Sequence, residues 1–283
     1  MPLRKKNNYQ RIYKSTFILL FIICACDKKL DNKVRTGDLL MNQFSMDEIE
    51  AISSSKIFFA HMSVGYNILE GILDIQEHDN RFLKINIKEL SDDNKIDVTG
   101  ILHKKIGNNG SAKLKFDAFN DMLINQGLGS EIDIVMLKLC YIDINEDTNI
   151  KNIFNDYLKT IDDINKCFPK LKIIHATVPL TTHSIGLKER LKNIIKSDIS
   201  NVKRNQYNNL LRNKFADSDM VYDLAKIEST YANGDREHYK YEGERIYSLI
   251  GQYTYDKGHL NHLGRSLAAK ELLRVISKVA MIK

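Results

Sequence analysis

The chain has 283 residues, 43% of them hydrophobic and 28% charged, with 42 Lys and Arg against 36 Asp and Glu. Its formal charge of +6 is not a nucleic-acid footprint. The first 25 residues hold five bases (Arg4, Lys5, Lys6, Arg11, Lys14) and no acid, so the remainder carries 37 bases against 36 acids, with no basic stripe interleaved with aromatics.

The N-terminal basic flank runs into an apolar stretch, Phe17-Ile18-Leu19-Leu20-Phe21-Ile22-Ile23, too short to cross a bilayer, which needs about 20 apolar residues. That pattern is a secretory signal. It closes Ile23-Cys24-Ala25-Cys26, which resembles the bacterial lipoprotein signal-peptidase site at Cys26 but not at Cys24. The resemblance implies cleavage after residue 25, lipidation of the Cys26 thiol, and a chain tethered to a membrane of the cell envelope. Removal of residues 1–25 leaves 258, enough for a large core. Residues 26–45, mostly polar, read as a flexible tether, and 46–283 as the folded domain. Cys140 and Cys167 fall at opposite ends of a strand–helix–strand unit, beyond disulfide reach, and are expected as buried free thiols.

Strands and helices then alternate. Lys56–Ala60 reads as a buried strand, followed by a helix with Ile68, Leu69, Ile72 and Ile75 at helical spacing. Phe82–Ile87 reads as a second strand, and a loop with Gly100, Gly107 and Gly110 follows. A helix is expected near Leu114–Asn125, then the strongest strand, Ile132–Leu139. Ile150, Ile153, Phe154, Tyr157, Leu158, Ile161 and Ile164 mark an amphipathic helix. Leu171–Val178 and Met220–Asp223 are the last strands, and the tyrosines between Tyr239 and Tyr255 suit a hairpin flap. A C-terminal helix carries Ala268, Leu272, Val275, Ile276 and Val279, with Asn261 as its N-cap. This order predicts a parallel sheet of about five strands between two helical layers. Ligands bind beyond the carboxyl ends of such strands.

The residues with chemistry fall on that rim. In Asp256-Lys257-Gly258-His259 the carboxylate is spaced to hold one ring nitrogen of His259 and leave the other free as a general base. Ser63, in His61-Met62-Ser63-Val64-Gly65, sits at a strand-to-helix turn that exposes a hydroxyl; its alternative role is to cap the helix. Asp223 is a competing carboxylate. The backbone N–H groups of Ser63 and of Gly107 are candidate oxyanion donors, while His61, Asn109, Tyr141 and His175 are candidate lining residues. Asp256, His259 and His262 lack a helical Glu–His pair, so no metal and no other cofactor is expected.

Together, the early Ser, the Gly after strand two and the late Asp-x-x-His-Leu-Asn resemble the SGNH (GDSL-like) hydrolase superfamily, in a branch with His-x-Ser-Val-Gly in the first block. The resemblance spans most of residues 54–280. It implies a flavodoxin-like three-layer α/β/α domain and a Ser63–His259–Asp256 triad acting on small acyl esters, O-acetyl groups on a glycan among them. One departure stands out: where the superfamily has Gly-x-Asn-Asp, this chain reads Cys140-Tyr141-Ile142-Asp143, without the oxyanion Asn. Lys138, Tyr141 or an Asn of the glycine loop are the substitutes on offer. A non-catalytic glycan- or ligand-binding lipoprotein, or an O-acyltransferase, is the alternative on the same fold.

Overall fold

The computed structural model describes residues 44–91, 96–183, 194–218 and 220–282, so the basic flank, the apolar run, Cys26 and the polar stretch up to residue 43 lie outside the described residues. Phe44 is buried edge-on against Phe82 with centroids 5.3 Å apart, and Ser45 caps the first helix in a capping box with Glu48.

The elements run α1 (Met46–Ser54), β1 (Lys56–His61), α2 (Val64–His78), β2 (Ile87–Glu89), β3 (Gly100–Lys105), α3 (Ala112–Asn120), β4 (Ile134–Leu137) and α4 (Ile150–Cys167). They continue with β5 (Lys172–Ala176), α5 (Ile194–Lys214), β6 (Val221–Tyr222), α6 (Leu224–Ser229), β7 (His238–Tyr241), β8 (Glu244–Tyr247) and α7 (His262–Met281). β7 and β8 form a separate antiparallel hairpin. The other six strands form one sheet in the order β2-β3-β1-β4-β5-β6, with every neighbouring pair parallel.

The strands read as unbroken apolar runs because both faces of the sheet are covered. Phe58, Leu102, Val135, Leu137 and Ile173 face one way, into a core with Phe116 and Phe119 of α3, Phe154 and Tyr157 of α4 and Tyr207 of α5. On the opposite face lie α1, α2 and α7; Tyr222 of β6, fully buried, donates its hydroxyl to the Ala268 carbonyl of α7. The result is three layers, α/β/α. Setting β2 aside, the remaining order is that of flavodoxin-like sheets, and the chain leaves β1 for β3 on one side and β4 on the other. The carboxyl end of β1 is therefore the topological switch point.

Three expectations need correction. Phe82 belongs to a 3-10 turn, Asn80–Lys84, opened by Asp79 accepting from Arg81 N–H, and the strand starts only at Ile87. The supposed glycine loop contains a central strand: Gly100, at φ +107°, turns the chain into β3, which pairs along the whole length of β1. Glycine read as a loop signal hid it; the sheet, expected at about five strands, has six. Finally, Cys140 is buried and free, whereas Cys167, also free, is exposed on the last turn of α4.

Candidate active site

β1 delivers Ser63 to the switch point in a strained conformation. Its φ of 48° and ψ of −108° lie where non-glycine residues rarely go, at a cost on the order of 1–3 kcal/mol, and such strain persists only where the surroundings impose it. Ser63 occupies the N-cap position of α2 but makes no side-chain capping bond. Its Oγ lies 2.5 Å from Nε2 of His259, which is 196 residues away in sequence. The bland capping role is thus not the one its hydroxyl plays.

The His259 ring is gripped from behind. Asp256 Oδ2 lies 2.7 Å from Nδ1, while Asp256 Oδ1 accepts from the backbone N–H of His259 (2.8 Å) and of Gly258 (3.1 Å). Burial pushes the Asp256 carboxyl up, but these N–H groups and the ring outweigh it and hold the acid below its ordinary value. The turn is closed by Thr254, whose hydroxyl donates to the His259 carbonyl at 2.6 Å and whose backbone bridges Leu260. Asp223, the competing carboxylate, is taken by Arg212 at 2.7 Å and by capping α6.

Two helices bring these distant segments together. Ser63 stands at the start of α2 and His259 just before α7, which Asn261 caps as expected. The helices approach so closely that a Cβ on Gly71 would lie 2.4 Å from the Arg265 carbonyl. Arg265 grips Asp74 (2.7 Å) and Glu70 (3.0 Å) across the contact, and Leu260 N–H donates to the Asn67 side chain at 3.2 Å.

The other side of the site is built from buried charge. Lys115 and Asp143, both with fully buried side chains, pair at 2.5 Å. Asp143 also accepts from the N–H of Cys140 (2.6 Å) and of Gly110 (2.8 Å), and Lys115 donates to Asn109 Oδ1 (3.1 Å). This ties the loop after β3 to the end of β4. Gly107 sits in that loop at φ +62°, where a Cβ would meet the Lys115 side chain at 2.7 Å. Asn109 is exposed. Among the described residues, neither Ser63 N–H nor Gly107 N–H has an acceptor. The Tyr141 ring stands edge-on to His259 with centroids 5.7 Å apart, and its carbonyl accepts from Arg204 Nε at 2.7 Å.

Two candidate lining residues pack inside instead. His61 is fully buried, with Nε2 3.2 Å from His103 Nδ1, and His175 stacks on Phe215 at 3.5 Å and bonds the Tyr157 hydroxyl at 2.8 Å. Burial lowers the pKa of each to about 3, so both stay neutral. His262 faces Asp74 at 3.6 Å rather than His259's partners, and among the described residues no cluster of three His, Cys, Asp or Glu is arranged to hold a metal ion. Sequence reasoning missed Arg204 and the Lys115–Asp143 pair, and listed Lys138 only as a possible donor. The signal for Lys138 was its place in a strand expected to be buried on both faces.

Neither a protein-family model nor a curated protein matches the chain. Solved structures do. A candidate acylhydrolase from Bacteroides fragilis is similar to it at a TM-score of 0.52 and 16% identity, over 80% of this chain and 88% of that one. A GDSL-like lipase from Bacteroides thetaiotaomicron is similar at 0.50 and 13%, over 79% and 88%. At such identities the likeness speaks to architecture, and the fold is the three-layer α/β/α of SGNH hydrolases.

Proposed function

We propose that the protein is a serine ester hydrolase in which Ser63, His259 and Asp256 act as a triad. One observation carries the reading: the Ser63 hydroxyl sits on one nitrogen of His259 while Asp256 sits on the other. In the reaction, Ser63 Oγ bonds to the ester carbonyl carbon and its proton passes to His259 Nε2. The carbonyl π pair moves onto oxygen, toward the N–H groups of Ser63 and Gly107. Collapse breaks the bond to the alcohol oxygen, which takes the proton from His259. Water, deprotonated by His259, then attacks the acyl-enzyme, and a second collapse releases the acid and returns the proton to Ser63 Oγ. Asp256 keeps the ring in the tautomer this needs and stabilises the imidazolium. No cofactor enters.

The reading extends to small acyl esters, with O-acetyl groups on a glycan as the leading class, and to an envelope lipoprotein anchored through Cys26. An O-acyltransferase would use the same residues with an alcohol in place of water. A non-catalytic glycan- or ligand-binding lipoprotein is favoured by one observation, the absence of an Asn in Cys140-Tyr141-Ile142-Asp143. A fluorophosphonate probe separates these readings. Labelling that disappears in Ser63→Ala supports the nucleophile, and no labelling of the folded wild type favours the binder.

A further inference from the structure

Lys138 lies directly beneath the nucleophile turn. Its side chain is fully buried at the end of β4, and among the described residues no carboxylate hydrogen-bonds it. Its Nζ donates instead to the Met62 carbonyl at 2.9 Å and lies 3.8 Å from Cys140 Sγ, whose thiol donates to the same carbonyl at 3.4 Å. Gly65 N–H is a third donor to it, at 3.0 Å. Lys115, the other lysine buried here, has Asp143 as its counter-ion. Burial pushes the Lys138 pKa down, and an ionisable amine with no carboxylate hydrogen-bonded to it is costly to bury, so a chain that keeps one under its Ser63 turn invites a functional account.

Peptide geometry supplies the account. The Met62 carbonyl and the Ser63 N–H belong to one trans peptide, in which C=O and N–H point in opposite directions. Drawing the carbonyl down onto Lys138 and Cys140 turns the Ser63 N–H up and away from them, and this N–H has no acceptor within the described residues. Donors on the carbonyl oxygen also draw charge through the peptide and strengthen the N–H as a donor. We infer that Lys138, seconded by Cys140, is a positioning residue that orients and polarises the Ser63 peptide as the principal oxyanion donor, offsetting the missing Asn of the β4 end. The inference rests on the esterase reading.

The test uses the full chain and p-nitrophenyl acetate, with phenylboronic acid as a tetrahedral adduct former. Lys138→Met should lower kcat about 100-fold, the scale of losing one oxyanion donor, with KM within about threefold. Phenylboronic acid affinity should fall in step with kcat, which a merely structural role would not produce. A folded Lys138→Met enzyme, by circular dichroism, with kcat near wild type overturns the inference, and so does a loss confined to KM. If Lys138→Met does not fold, Cys140→Ala decides: kcat falls about fivefold at constant KM if the weaker donor matters, as for one hydrogen bond, and unchanged kcat overturns the inference. Wild-type labelling by a fluorophosphonate is measured alongside. Its absence brings down the esterase reading and this inference together, whereas labelled wild type with an unaffected Lys138→Met removes this inference alone.

Discussion

On the α2–α7 side of the site the residues of the proposed triad are part-exposed, and the Asp256–His259 contact is local. The side chains of His259 and Asp256 are 38% and 56% exposed, and one four-residue turn makes their contact. On the β3–β4 side the groups that hold the backbone, Lys115, Asp143 and Lys138, are buried. The first side presents chemistry and the second fixes backbone. The Arg265 pairs that join α2 to α7 are part-exposed, whereas the Lys115–Asp143 pair that ties the loop after β3 to the end of β4 is desolvated and strong only while complete.

The two sides should therefore fail differently. On the reactive side His259→Ala should cost on the order of 10⁴-fold or more in kcat/KM toward an aryl acetate, with Asp256→Asn smaller, and neither should move the urea midpoint appreciably. On the holding side Lys115→Met leaves Asp143 buried and unpaired. It should lose about 3–5 kcal/mol of stability in urea unfolding, with activity per folded molecule falling much less than in His259→Ala. Gly71→Val joins both effects: its Cβ would press on the Arg265 carbonyl, costing about 1–3 kcal/mol and parting the helices that bring Ser63 to His259. Reduced fluorophosphonate labelling at a denaturant concentration where the variant is still folded would sharpen the contrast, and unchanged labelling would break it.

A further contrast is a pH slope. Burial raises the Glu228 carboxyl to about 8; one oxygen accepts from Leu180 N–H at 2.7 Å and the other has no partner among the described residues. Between pH 4.5 and 8 the folded chain keeps a proton that the unfolded chain has released, so stability falls as pH rises, by at most about 1.4 kcal/mol per unit. Glu228→Gln should flatten that slope. It should leave the opposite one below pH 6.5, where the unfolded chain protonates His61 and His175 and the folded one does not. Chemical denaturation across pH 5–9 measures both.

What was legible in the sequence divides along the same line. Asp256 and His259 share one turn, and their spacing alone announced the contact. Ser63 was recognisable as a hydroxyl between a buried strand and a helix. Strands β1, β4 and β5 declared themselves by apolar runs, but β3 did not, because Gly100 at its start, Gly107 two residues past its end and His103 within it resemble loop chemistry although the strand is covered on both faces. Nothing in the sequence marked Lys115 or Arg204, since their burial is decided by helices packing from elsewhere in the chain. His61 and His175 looked like lining residues because they stand near the right rim, and only side-chain direction tells a wall from an interior.

In the proposed reaction Ser63 carries the acyl group during turnover. Quenching the protein during hydrolysis of p-nitrophenyl acetate and mapping the modified peptide tests it most directly. An acetyl group is expected on Ser63, absent in Ser63→Ala and accumulating when water is the slow nucleophile. Hydrolysis proceeding in Ser63→Ala at the wild-type rate, or acetyl found only on surface lysines, would contradict it.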